Sequence, residues 1–217
     1  MAMGKIAILI DPDKQRPSLS ERLTKLSALG LSPNLVLLGG STGVIDSESV
    51  FDQARDLGLP VWLFPGNEYQ LSPRADRLLL PVLISGRNPQ LLIGKHVEAA
   101  RKIRALDIPV MPMGYILIDG GTIPSVQRVS ETEPLLREDI ETIVSTAIAG
   151  ELLGQQAIYL EAGSGALHPV PPKVIAAVRK EINATLIVGG GLRSRQAIED
   201  AFAAGADIVV IGTALEQ

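Results

Sequence analysis

Several apolar runs in this chain stop abruptly at residues able to do chemistry. The polar ones are Asp11, Asp13, Ser41, Thr42, Asn67, Glu68, Ser85, Asn88, Asp119, Glu161 and Ser164. Three glycine turns lie among them: Gly163-Ser164-Gly165, Gly189-Gly190-Gly191 and Gly212-Thr213. A glycine lets backbone N–H groups approach an anion, and a following helix start adds its positive dipole end. The two last turns are separated by one helix–strand unit, as in a phosphate site built after strands 7 and 8 of an eight-fold barrel. The competing reading is that they are only tight connections. Asp11, with a hydroxyl such as Ser41 after the next run, suits Mg²⁺, a hard cation that keeps waters and substrate phosphates. Otherwise Asp11-Pro12-Asp13-Lys14 is a plain turn. Glu161 ends an otherwise apolar run, which is costly unless the carboxylate is used or paired. It is a candidate base or hydroxyl acceptor, or else one half of a structural salt bridge. Tyr159, two residues earlier, shares its side of the strand.

These residues need a scaffold that brings strand ends together. Apolar runs at Lys5–Ile10, Leu35–Leu38, Val61–Phe64, Arg77–Ile84, Val110–Ile118, Ala157–Glu161, Leu186–Val188 and Ile208–Ile211 read as eight strands. Helical stretches at Ser20–Leu29, Ser47–Leu57, Leu91–Ala105, Arg137–Leu153, Pro171–Ile182 and Arg195–Ala204 alternate with them. Ser20 and Ser47 are placed to cap the first two. The alternation predicts parallel strands and an α/β TIM (β/α)8 barrel in a single domain over 1–217, with an open doubly wound sheet as the alternative. Residues 67–76 are short and contain Pro73, so helix 3 is expected to be weak or replaced by a loop. Residues 124–134 show no periodicity and are expected to be a loop over the mouth. The chain stops five residues into what would be helix 8, at Leu215-Glu216-Gln217. Either that helix is missing or a longer tail follows.

Composition narrows the function classes. The 217 residues hold 20 basic and 24 acidic side chains, a net charge of −4, with no basic stripe to suit nucleic acid. There is no cysteine, hence no disulfide, thiol nucleophile or cysteine metal site, which fits a cytoplasmic location. No run reaches the length of a membrane span. Aromatics are 3 %, so the core must be mostly aliphatic. No Ser-His-Asp order, P-loop or dinucleotide fingerprint appears. His96 and His168 lack partners at metal spacing and read as structural or peripheral. Trp62 reads as core. Lys95, Arg101, Lys102 and Arg104 read as a solvated helix face.

Taken together, Ile10-Asp11-Pro12-Asp13-Lys14, Gly39-Gly40-Ser41, Gly114-Tyr115-Ile116, Tyr159 through Gly165, Val188 through Ser194 and Ile211-Gly212-Thr213-Ala214 resemble the geranylgeranylglyceryl phosphate synthase family, which includes the heptaprenylglyceryl phosphate synthases. The resemblance runs from residue 5 to 217. It implies a Mg²⁺-dependent prenyltransferase that joins sn-glycerol 1-phosphate to a polyprenyl diphosphate, geranylgeranyl diphosphate by expectation, and releases diphosphate. The resemblance places Mg²⁺ on Asp11 and Ser41. It places glycerol phosphate on Tyr159, Leu160, Glu161, Ala162, Gly163, Ser164, Gly165, Gly190, Gly191, Gly212 and Thr213. Glu161 and Asp11 are then the catalytic candidates, with Glu161 orienting or deprotonating the acceptor hydroxyl. The prenyl tail needs a groove, expected at the weak third helix and lined by Trp62, Phe64 and Leu83. Two departures exist. Leu9 stands where some relatives carry a phosphate-touching Lys, and Ile84-Ser85 stands where the family often has Asn-Ser. Self-association and peripheral contact with a membrane are also expected. The rival readings are another phosphate-binding barrel, an isomerase or lyase, and a non-catalytic barrel that keeps only the phosphate site.

Overall fold

The structure, a computed structural model, describes residues 4–11, 18–40 and 48–216. Ser41, Thr42, Asp13 and the expected cap Ser47 lie outside the described residues. Eight parallel strands close into a barrel in sequence order: β1 (Lys5–Ile10), β2 (Leu35–Leu38), β3 (Val61–Leu63), β4 (Arg77–Leu83), β5 (Val110–Leu117), β6 (Ala157–Glu161), β7 (Thr185–Gly189) and β8 (Ile208–Ile211). The helices are α1 (Leu19–Ala28), α2 (Glu48–Asp56), α3 (Lys95–Ala105), α4 (Ser125–Ser130), α5 (Ile140–Leu152), α6 (Pro172–Glu181) and α7 (Arg195–Ala203).

Strand alternation divides the core in two. Ile8, Val36, Leu63, Leu78, Ile116, Leu160, Val188 and Val209 point outward and pack under the helices. Ala7, Leu37, Leu79, Met113, Tyr159, Ile187 and Val210 point inward and fill the barrel. Both faces are buried, which is why the strands read as continuous apolar runs. The register sets Tyr115 beside Tyr159 and Ile187 in one level, and Leu117 beside Glu161, Gly189 and Val210 in the level above. Barrel strands are open above their last residue, so that upper level faces the mouth.

The helical ring agrees with the sequence reading at the weak third helix and departs from it elsewhere. Ser18, not Ser20, caps α1: its hydroxyl accepts the Glu21 N–H, and the Glu21 carboxylate accepts the Ser18 N–H at 2.6 Å. The Glu three residues on completes a capping box for Ser18 alone. Between β3 and β4 there is only a 3-10 turn, Glu68–Gln70, as the weak third helix requires. Helix α3 is preceded by a π-helical turn at Gln90–Gly94, and of its own residues it buries only Ala99. The stretch expected to be a loop contains α4, whose two valines, Val126 and Val129, lie three apart on one face. Six residues are too few to show a period. After β8 the described chain makes a 3-10 turn, Thr213–Leu215.

Candidate active site

The mouth opens on a cavity of about 310 Å³. Asp11, Phe64, Tyr115, Tyr159, Glu161, Gly163, Ser164, Gly165, Gly190, Gly191, Gly212 and Thr213 all line it. The ends of β1, β6, β7 and β8 thus meet as the sequence requires. Leu160 and Ala162 do not line it: both belong to the outer layer under the helices. Leu160 is even-numbered on a strand whose odd residues point inward.

Glu161 lies at the centre. It is 7 % exposed, and its Oε1 accepts the Gly163 N–H at 2.8 Å. That amide is therefore committed to Glu161 and is not open to an anion, contrary to the sequence expectation. Burial pushes the carboxyl above its ordinary value, and the nearby Tyr159 hydroxyl and Gly163 amide pull it partly back. Among the described residues no ion pair includes Glu161. Tyr159 is fully buried, and its hydroxyl lies against Glu161 without the alignment of a hydrogen bond. Burial first, and then the Glu161 charge, hold the Tyr115 and Tyr159 hydroxyls well above the ordinary phenol value. Both stay protonated at any working pH.

The glycine triplet makes room for this pair. A Cβ on Gly189 would strike the Tyr159 hydroxyl and sit 2.7 Å from Glu161 Oε2. Gly190 has φ +82°, and a Cβ there would sit 2.7 Å from Glu161 Oε1. A side chain at either position would displace the carboxylate. Around this triplet, the amides of Gly190, Gly191, Gly212 and Thr213 donate no hydrogen bond among the described residues. Open amides beside a cavity are what an anion requires. The Ser164 and Thr213 hydroxyls bond each other at 2.9 Å and tie the β6 and β8 loops together.

Two cations flank this corner, and neither was singled out in the sequence. Arg193 lines the cavity, and its Nη2 donates to the Gly165 carbonyl at 3.3 Å. Arg22 of α1 is fully buried, donates to the Leu9 carbonyl at 3.4 Å, and lies 3.6 Å from Glu216. Burial lowers its pKa, and the charges of Glu216 and Asp11 raise it again. A basic residue three positions along a helix from an apolar one carries no mark of such a role. Asp11 itself lies over Gly40, where a Cβ would be 2.5 Å from Oδ1. Gln70 was missed as well. It is fully buried, and its Oε1 accepts the Gly66 N–H at 2.8 Å and the Gly40 N–H at 3.3 Å. The 3-10 turn that replaces helix 3 thereby pins the loops after β2 and β3.

From the mouth the cavity continues between β4 and α3, lined by Leu71, Leu80, Leu91, Ala99 and Ile103, with Val126 and Val129 of α4 above. A second hollow carries on from Leu80, His96 and Ile103 toward Pro109. Phe64 and Leu83 line the groove, as expected. Trp62 does not. It is one inward level lower, and its ring is covered by the Arg77 guanidinium at 5.0 Å. His96 is structural rather than peripheral: it lines both hollows, with Nε2 2.9 Å from the Pro81 carbonyl and Nδ1 buried without a partner among the described residues. His168 stays at the edge, its backbone N–H on the Gly120 carbonyl. At the groove's inner end Phe64, Tyr115 and Tyr159 gather with ring centroids 5.3 to 6.1 Å apart. They are three of the chain's seven aromatic residues (one Trp, three Tyr, three Phe).

Among known proteins, the sequence pattern of the PcrB family matches residues 3–217. A geranylgeranylglyceryl phosphate synthase of Zunongwangia profunda is 46 % identical, over 98 % of this chain and 91 % of that protein. One from Thermococcus gammatolerans is 39 % identical, over 97 % and 83 %. Among solved structures, the same enzyme from Thermoplasma acidophilum, in complex with its substrate sn-glycerol-1-phosphate, superposes with a TM-score of 0.84 at 31 % identity, over all of this chain and 87 % of that one. An N-acetylmannosamine-6-phosphate 2-epimerase from Clostridium perfringens shares the fold alone, at 11 % identity and a TM-score of 0.57.

Proposed function

The chain belongs to the PcrB family, and on that footing we propose that it is a prenyltransferase forming an ether between sn-glycerol 1-phosphate and a polyprenyl diphosphate, geranylgeranyl diphosphate by preference. One observation carries the reading. A single cavity joins a corner of open amides, a buried carboxylate, a second carboxylate at Asp11 and a long apolar groove. An isomerase of one phosphorylated substrate has no use for the groove or for Asp11.

The amides of Gly190, Gly191, Gly212 and Thr213, with the Ser164 and Thr213 hydroxyls and Arg193, hold the acceptor's phosphate. That fixes the glycerol C3 hydroxyl toward Glu161. The C1–O bond of the allylic diphosphate breaks, the glycerol oxygen bonds to C1, and the hydroxyl proton passes to Glu161. The Gly163 amide holds that carboxylate in place, with the protonated Tyr159 hydroxyl beside it. The faces of Phe64, Tyr115 and Tyr159 offer the allylic carbon negative π density and no nucleophile as positive charge builds there. The groove removes the tail from water and keeps water from the cation.

Asp11 and Ser41 are the residues that would hold a Mg²⁺. A carboxylate folded over Gly40 at the cavity wall fits a hard cation that takes one or two protein oxygens and fills its remaining places with water and phosphate. When bound, that ion offsets the charge of the departing diphosphate. The test is direct. With sn-glycerol 1-phosphate, geranylgeranyl diphosphate and Mg²⁺, mass spectrometry should find the prenylglyceryl phosphate ether, and EDTA should abolish it. Absence of an ether with every prenyl length from ten to thirty-five carbons would overturn the reading.

A further inference from the structure

The groove has one thin wall. Helix α3 closes it on the outside and buries only Ala99. Its outer surface carries a composition unlike the rest of the molecule. Ile93, in the preceding turn, and Val97 are 60 % and 69 % exposed and lie four residues apart on one face. Residues 95–105 hold four of the chain's 20 basic side chains and one of its 24 acidic ones. Lys95 pairs with that acid, Glu98, at 3.0 Å. Arg101, Lys102 and Arg104 face no carboxylate within salt-bridge distance among the described residues; Lys102 instead lies over the Tyr69 ring at 5.2 Å. Val129 of α4, 60 % exposed, continues the apolar rim on the other side of the opening. The sequence alone reads these cations as a solvated face, because the neighbouring exposure of Ile93 and Val97 is visible only in the fold.

We propose that this helix, with Ile93, Val97, Arg101 and Arg104 on one face, Lys102 on its flank and Val129 at the rim of the opening, docks the enzyme on an anionic lipid bilayer so that the groove behind α3 takes its prenyl donor directly from the membrane. The inference rests on the prenyltransferase reading for what enters the groove. Apolar side chains beside cations that face no carboxylate among the described residues, on a helix that lies along a surface, are the pattern of interfacial binding. The cations select acidic headgroups, each strengthening binding about fivefold near such a surface. A second copy of the chain is the poorer occupant. A twofold contact sets a patch against itself, so Arg101 and Lys102 would face their own copies. Nucleic acid is poorer still, since it has no use for Ile93, Val97 and Val129.

The full chain is sedimented with vesicles of equal phosphatidylglycerol and phosphatidylcholine, and with phosphatidylcholine vesicles alone, at about 0.1 M salt. Binding is expected to the first and not the second. The double variant Arg101→Glu/Lys102→Glu should weaken it at least tenfold, and Val97→Asp should weaken it severalfold. Turnover of donor dissolved in detergent should stay within twofold for both variants, while the KM for donor presented in anionic vesicles rises. Equal binding by wild type and the double variant, or no binding to anionic vesicles, overturns the proposal. So does a double variant that loses its oligomeric state by light scattering while keeping vesicle binding, which gives the face to a second copy. Tighter binding to duplex DNA than to vesicles overturns it too. Vesicle binding without ether product would refute the prenyltransferase reading alone, and ether product without vesicle binding would refute docking alone.

Discussion

Glu161 is a buried carboxylate whose ionised form the reaction needs and the fold resists. Its pKa is raised in the folded chain by burial. The folded state therefore binds the proton more readily than the unfolded chain does, and stability is fully present at pH below the unfolded value and declines as pH rises through the folded one. The Glu161→Gln variant keeps an oxygen for the Gly163 N–H but carries no charge. It is expected to raise the thermal midpoint at pH 8, with the gain vanishing toward pH 4, while turnover falls by about a hundredfold or more. Calorimetry across pH and a product assay check the two halves. The acid limb of wild-type kcat should lie above the ordinary glutamate range, and the Gln variant should lack it. Tyr115 separates π density from hydroxyl: Tyr115→Phe should keep turnover within about threefold, whereas Tyr115→Leu should lower kcat by about tenfold or more with acceptor KM unchanged. Glu161 and Tyr159 were legible in the sequence because a charge ending an apolar strand is conspicuous, and period-two alternation put the tyrosine on its side. Arg22 and Gln70 were not. Their roles come from burial by contacts far along the chain, to Glu216 for the one and to Gly40 for the other.

At the scale of elements, the glycine turns and the missing helix set the site. The Gly189-Gly190-Gly191 turn has two duties: it clears space for Glu161 and leaves amides open. A Cβ at Gly190 would meet Glu161 Oε1 and force a left-handed conformation on alanine. Gly190→Ala should therefore raise acceptor KM and lower kcat together, by about tenfold each, with donor KM unchanged, in steady-state kinetics with either substrate varied. The groove occupies the place of helix 3, and Ala99 of α3 faces it. Ala99→Phe should shift donor preference toward shorter prenyl chains, read by product masses from a mixture of donors; an unchanged distribution would remove the tail from this groove. The weak third helix was visible as a short segment with Pro73. What filled its place was not. The groove wall comes from Ala99 and Ile103 of α3 and from α4, a helix too short for its period to show. Trp62 was assigned to the wall from strand proximity, but inward alternation and the Arg77 guanidinium keep it below the cavity.

At the scale of the molecule, the barrel order and all eight strands follow from apolar runs and glycine stops, while α4 and several element ends do not. That part was legible because each strand is buried on both faces and each βα unit is local. The closure of the barrel brings the first strand beside the last, and so Asp11 into one cavity with Gly212 and Thr213. An enzyme with acceptor and donor at opposite ends of that cavity must form its new bond to the glycerol oxygen without breaking the glycerol C3–O bond. The measurement that tests this most directly uses sn-glycerol 1-phosphate labelled with ¹⁸O at the C3 hydroxyl, together with geranylgeranyl diphosphate and Mg²⁺. The ether is expected to carry the full label and the diphosphate none. An unlabelled ether, label in the diphosphate, or no ether at all would contradict it.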